Sequence, residues 1–216
     1  MKGLFLKDLA LLKNQIRQVL IVMLVAVFMM FFNEDITFPI MYCVMVFAML
    51  GIGGISYDAF DNGNAFLFTL PITRKQYVLE KYLFMLTLVI AGCVLAYGVI
   101  IFHAMKNGIA IKSSGNLEYL IGCACGIVLF MALLLPIELK YGPEKGRIAM
   151  IAFFAIIVAA TFLLKKIAEK MDFAPMLEAV SNANPKTILG MLGILSIVLL
   201  CVSFNISNIL MEKKEF

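Results

Sequence analysis

Apolar residues along this chain fall into six runs, at about 18–32, 36–57, 82–102, 118–137, 148–164 and 187–210. All six are candidates for helices that cross a hydrocarbon core of ~30 Å. The first, unbroken from Val19 to Phe32, is short for a span. A signal-peptide core is the other reading of such a run, but Asn33, Glu34 and Asp35 follow it, with no small-x-small cleavage site. The pattern predicts an all-α, polytopic membrane protein: six transmembrane helices in one domain over 1–216.

Before the first run, Phe5, Leu9, Leu12, Ile16 and Val19 recur at helical spacing on one face. Lys2, Lys13 and Arg17 can point away from that face or reach lipid headgroups. Residues 1–17 therefore read as an amphipathic helix in the membrane interface, or as a plain continuation of the first span.

Between the second and third runs lie over twenty residues, 58–81, where a few would join two helices. They mix Asp58, Asp61, Arg74, Lys75, Glu80 and Lys81 with Phe60, Leu67, Phe68 and Leu70, and they turn at Pro71. The expected element is a short helix from Asp61 to Leu70, ended by Pro71, with Phe66 and Leu67 as apolar anchors for another protein. Arg74 and Lys75 are expected to tie the next helix to lipid phosphates or to acidic residues of that partner.

Mean hydropathy of +1.00 with 15% charged residues excludes an ordinary soluble domain. With a cytoplasmic N-terminus, the inner segments hold twelve basic residues: Lys2, Lys7, Lys13, Arg17, Arg74, Lys75, Lys81, Lys140, Lys145, Arg147, Lys213 and Lys214. The outer segments hold six: Lys106, Lys112, Lys165, Lys166, Lys170 and Lys186. That bias places both termini in the cytoplasm. The net charge of +4 is thus an orientation signal and implies no nucleic acid partner.

Catalytic chemistry has no foothold in the pattern. His103 stands alone, so no two-histidine metal site can form. The five cysteines, Cys43, Cys93, Cys123, Cys125 and Cys201, all sit in apolar runs and read as small buried hydrophobes. No H-E-x-x-H, G-x-S-x-G or G-x-x-x-x-G-K-[ST] occurs. The apolar runs are nearly free of ionisable residues, with Glu118 and Glu138 at their ends, which argues against an ion-driven carrier. The chain is expected to be no enzyme and to bind no cofactor.

Three features inside the runs carry two readings each. Gly122 and Gly126 form G-x-x-x-G, for packing within the chain or against another subunit. Gly51, Gly53 and Gly54 form a hinge or a packing face. Ser196, Ser203 and Ser207 line a candidate substrate path or let helices pack closely.

Residues Leu67–Tyr82, LFTLPITRKQYVLEKY, resemble the Leu-Pro-x-Ser/Thr-Arg-Lys signature of small six-span permeases of type-2 ATP-binding-cassette exporters. Leu4–Leu9, LFLKDL, is similar to that family's N-terminal interfacial helix. Leu135–Arg147, LPIELKYGPEKGR, resembles its second cytoplasmic loop, through Tyr141, Gly142, Glu144 and Lys145. The resemblance implies a cytoplasmic coupling helix in 58–81, with Asp58, Asp61, Phe66, Leu67, Leu70, Pro71, Arg74, Lys75 and Lys81 serving coupling to an ATPase subunit. It implies two permeases, identical or paralogous, with ATP and Mg held by the partner ATPase. It implies a peptide or other amphipathic cargo and a bacterial plasma membrane. The competing class is a membrane scaffold or sensor that recruits a cytoplasmic partner through 58–81.

Overall fold

The computed structural model describes residues 2–32, 35–59, 63–108, 116–168 and 184–214. Among them every regular element is a helix. In chain order these are α1 (Lys2–Asn14), α2 (Ile16–Phe32), α3 (Thr37–Ala59), α4 (Gly63–Leu67), α5 (Arg74–Asn107), α6 (Asn116–Tyr141), α7 (Pro143–Ala168) and α8 (Pro185–Glu212).

Five of the six expected spans, α3, α5, α6, α7 and α8, are long and apolar enough to cross a membrane by length and composition. The sixth, α2, has 17 residues. It is about 25 Å long, short of a ~30 Å core. The expected interfacial helix ends at Asn14, where a turn at Gln15 separates α1 from α2.

The α3–α5 pair is the centre of the fold. Its contact is close because Gly92 has no side chain: a Cβ there would lie 3.0 Å from Val44 Cα and Phe47 Cβ. Gly51 faces Met85 and Leu88 at 3.4 Å or more, so in this structure that glycine serves packing. A second close pair, α6 and α8, lies against α3 and α5. Most of α7 stays outside, with Ile148, Ile151, Ile156 and Phe162 exposed. A lipid-facing surface looks like this, since apolar side chains gain little by leaving lipid.

Two boundaries differ from those expected. The segment 58–81 is not one loop: α3 continues through Ala59 and α5 starts at Arg74. Thr73 caps α5 by accepting from the Gln76 N–H at 3.3 Å, while Gln76 Oε1 accepts from the Thr73 N–H. This reciprocal pair satisfies two otherwise unpaired donors. At 34 residues, α5 is about 51 Å long. Its charged first turns therefore extend beyond any apolar core. The connection expected as a second cytoplasmic loop is only a corner: α6 ends at Tyr141, Gly142 takes φ +81°, and Pro143 begins α7. Glycine accepts that φ without strain and proline suits a first helical position.

Candidate functional site

One end of the bundle carries α4, between α3 and α5 in the chain. This helix covers Gly63–Leu67, shorter than the expected Asp61–Leu70, and Asp61 lies outside the described residues. It ends in turns through Phe68 and Thr69, ahead of Pro71. Thr69 Oγ1 closes it by donating to the Phe66 carbonyl at 2.7 Å. Phe66 is 71% exposed, whereas Leu67 is 8% exposed and belongs to the core. Of the two expected anchors, then, only Phe66 is presented to a partner. Phe68 packs edge-on against Tyr77, with ring centroids 5.6 Å apart. Leu70 and Pro71 are exposed.

Within the chain, Arg74 and Lys75 both contact the end of α8. Arg74 donates to the Met211 carbonyl at 3.1 Å and to the Glu212 carbonyl. It caps α8, whose last carbonyls lack helical partners and carry the negative end of the helix dipole. Lys75 pairs with Glu212 at 3.3 Å, and both side chains are exposed, so that bridge adds little stability. Lys214 makes the matching contact on α6, donating to the Leu139 carbonyl at 2.8 Å. Its partial burial pulls its pKa below the usual lysine value.

Asp58 and Lys81 also depart from a docking role, because both are buried. Lys81 Nζ bonds Asp8 and lies 2.8 Å from Asp58. Lys7 pairs with Asp58, and Tyr77 donates to Asp58 at 3.1 Å. Gly54 makes room, since a Cβ there would stand 3.2 Å from Asp8 Oδ2. The cluster joins α1, α3 and α5 and roots the segment carrying α4. Removing one member of such a buried pair costs about 3–5 kcal/mol, because the other is left charged and unpaired.

Sequence reasoning missed Lys7, Asp8, Tyr77 and Glu80 as members of this cluster. Of the face read near the N-terminus, Phe5, Leu12 and Val19 pack on the core and Leu9 and Ile16 are exposed, while Leu4 and Asp8 are buried residues that were not read. No local pattern pairs Asp8 with Lys81, which is 73 residues away. The Thr73–Gln76 capping box, by contrast, was a readable signal for the start of α5.

In the second corner, Tyr141 is exposed, with Lys140 Nζ 4.7 Å and Lys145 Nζ 5.3 Å from its ring centroid. Glu144 and Lys145 are exposed in the first turn of α7. Glu138 is buried against Gly146, where a Cβ would come within 2.5 Å of its carboxyl.

The glycine and serine motifs resolve differently. A Cβ on Gly122 would meet only Leu189, and one on Gly126 would meet nothing within 4 Å. Gly126 instead borders a cavity of about 350 Å³ between α3, α6 and α7, with Met41, Met45, Phe130 and Phe154. Its missing side chain is thus not used for helix packing within the chain. Ser196, Ser203 and Ser207 are buried. Ser196 donates to the Gly193 carbonyl at 2.8 Å. Tyr82 Oη bonds Ser203 at 2.6 Å and Ser207 at 2.7 Å, and Ser203 donates to the Ala132 carbonyl. The stripe faces protein, not an open path, because its hydroxyls serve helix contacts.

A family model described as ABC-2 family transporter protein matches residues 3–212. No curated protein and no solved structure matches the chain.

Proposed function

The chain belongs to the ABC-2 transporter family, and from that membership we propose that it is the permease of an exporter driven by a separate ATPase through the α4 segment. Membership makes it a multi-pass membrane subunit of an ATP-binding-cassette transporter and implies an ATPase partner. Phe66 carries the rest of the reading. It stands exposed on a short helix whose neighbours, Leu67 and Phe68, are packed inward and whose flanking helices are held by Asp58, Lys81 and Arg74. An aromatic side chain held out on a rooted element suits a buried interface anchor.

In this reading ATP and Mg bind the ATPase, and both termini and α4 are cytoplasmic. Two permeases, identical or paralogous, form the path for a peptide or another amphipathic molecule. Tyr141, Glu144 and Lys145 form the second contact with the ATPase, and lipid covers the exposed faces of α7 and α8.

Co-purification with the cognate ATPase tests the proposal. Truncating an aromatic anchor costs roughly 2 kcal/mol or more, about a thirtyfold fall in affinity. Phe66→Ala should therefore strip the ATPase while leaving the permease folded in the membrane. Leu67→Ala should instead lower the permease's own stability, since that side chain is buried. A Phe66→Ala permease that keeps its ATPase through detergent extraction and transports normally would refute docking through α4.

A further inference from the structure

Six polar side chains from three helices meet at the root of the α4 segment. They are Lys7 and Asp8 of α1, Asp58 of α3, and Tyr77, Glu80 and Lys81 of α5. All but Lys7 are buried, and Lys7 reaches in from the rim. Fully ionised, three carboxylates face two ammonium groups, leaving one negative charge in excess. The donors are unevenly shared. Asp58 takes Lys7, Lys81 and Tyr77, and Asp8 Oδ2 takes Lys81. Glu80 is left with the Lys81 ammonium at 3.6 Å, and neither of its oxygens has a hydrogen-bond partner.

Asp8 Oδ1 lacks a hydrogen-bond partner too, with only the Lys7 ammonium near it at 3.2 Å. The Asp8 and Glu80 carboxylates flank the same Lys81 ammonium. Two ionised carboxylates are both acceptors and cannot satisfy one another, and a buried charge without a donor is strongly disfavoured. A single proton on Glu80 cancels the excess charge and turns one unpartnered anionic oxygen into a neutral O–H. A metal ion does not fit. Among the described residues no group of three or more carboxylate, His or Cys side chains is placed to hold one, and the Lys81 ammonium occupies the centre.

We propose that this cluster is a proton-binding site, with one proton held on Glu80 in the folded protein. The site joins α1 to α5, so any motion that draws these helices apart opens it to water and frees the proton. It depends on the intramolecular contacts alone and stands whatever docks on Phe66.

The test compares the full-length wild type with Glu80→Gln in detergent. The folded fraction surviving heat is read by size-exclusion chromatography from pH 6 to pH 9. An unfolded glutamate, with a pKa of about 4.3, is ionised throughout this range. The folded wild type holds a proton that the unfolded chain releases, so its stability relative to the variant falls as pH rises. The fall is tenfold in the folding equilibrium for each pH unit over which the folded cluster keeps the proton. The glutamine amide is neutral like the protonated carboxyl and does not titrate, while Lys7, Asp8, Asp58, Tyr77 and Lys81 are common to both proteins. Parallel profiles overturn the proposal. Should Glu80→Gln not fold, infrared spectroscopy of the wild type at pH 6 decides instead. A protonated-carboxyl band that persists in Glu138→Gln, which removes the other buried glutamate of this end of the bundle, is expected. Absence of that band, or its complete loss in Glu138→Gln, overturns the proposal.

Discussion

Ser203 and Pro136 act as one unit, and a double-mutant cycle can show it. Pro136 lies inside α6 and has no N–H, so the Ala132 carbonyl one turn earlier loses its helical partner. Ser203 of α8 donates to that carbonyl. Leaving a buried carbonyl unpaired costs about 1–3 kcal/mol. Side-chain hydrogen bonds between membrane helices measure lower, at about 0.6 kcal/mol on average and about 1.7 at most. Ser203 also bonds Tyr82, but Tyr82 keeps Ser207 when Ser203 is removed. Ser203→Ala is therefore expected to cost roughly 1.5 kcal/mol, of which about 1 belongs to the carbonyl. Pro136→Ala restores an N–H at position 136 and lets α6 satisfy Ala132 internally. In that background Ser203→Ala should cost only ~0.5 kcal/mol, a coupling of about 1 kcal/mol. Unfolding of the four proteins in mixed micelles by a denaturing detergent, read by helical circular dichroism, gives the cycle. Additive losses, agreeing within about 0.5 kcal/mol, would mean that Ser203 merely packs and that the carbonyl is satisfied elsewhere.

The glycines separate by contact. Gly92→Ala would press a methyl against Val44 and Phe47 at 3.0 Å and should cost about 1–3 kcal/mol, whereas Gly126→Ala meets open space and should stay within about 0.5. Equal melting temperatures for the two would refute the close α3–α5 approach. Orientation is tested by single cysteines at Phe66 and Met105, both exposed, in a chain lacking Cys43, Cys93, Cys123, Cys125 and Cys201. An impermeant thiol reagent applied to intact cells should label Met105→Cys and spare Phe66→Cys, and the opposite pattern would invert the topology.

What could be read from the chain alone was whatever is local. Long apolar runs gave α3, α5, α6, α7 and α8, because a helix in lipid satisfies its own backbone and needs only apolar length. The start of α5 was misplaced for a related reason. Counting apolar residues begins the helix at Tyr82, while the Thr73–Gln76 cap begins it at Arg74, two charged turns earlier. The inward turn of Asp8 in α1 was not legible in the sequence. Asp8 turns inward since Lys81 and the gap over Gly54 accept it, and those partners come from distant parts of the chain. Asp58 and Lys81 stood out as candidates by their position in the segment, but their burial was invisible without the fold.

The polar contacts of the bundle end that carries α4 fall where a coupling segment needs them. Helices in lipid gain little from burying apolar surface against one another, so directional bonds and close packing must hold them together. Both ends of the α4 segment are held in that way. On one side Asp58 and Lys81 tie it to α1, α3 and α5. On the other, Arg74 ties it to the end of α8, while Lys214, just past α8, reaches the end of α6. A displacement of α4 by a docked ATPase would therefore load five helices at that end rather than bend one loop. Leu67 and Phe68 pack inward next to Phe66, so under the proposed docking Phe66 would not yield alone. Breaking the Arg74 contact should consequently leave ATPase binding intact and weaken its transmission, since Arg74 is bonded to α8 and Phe66 is the exposed anchor.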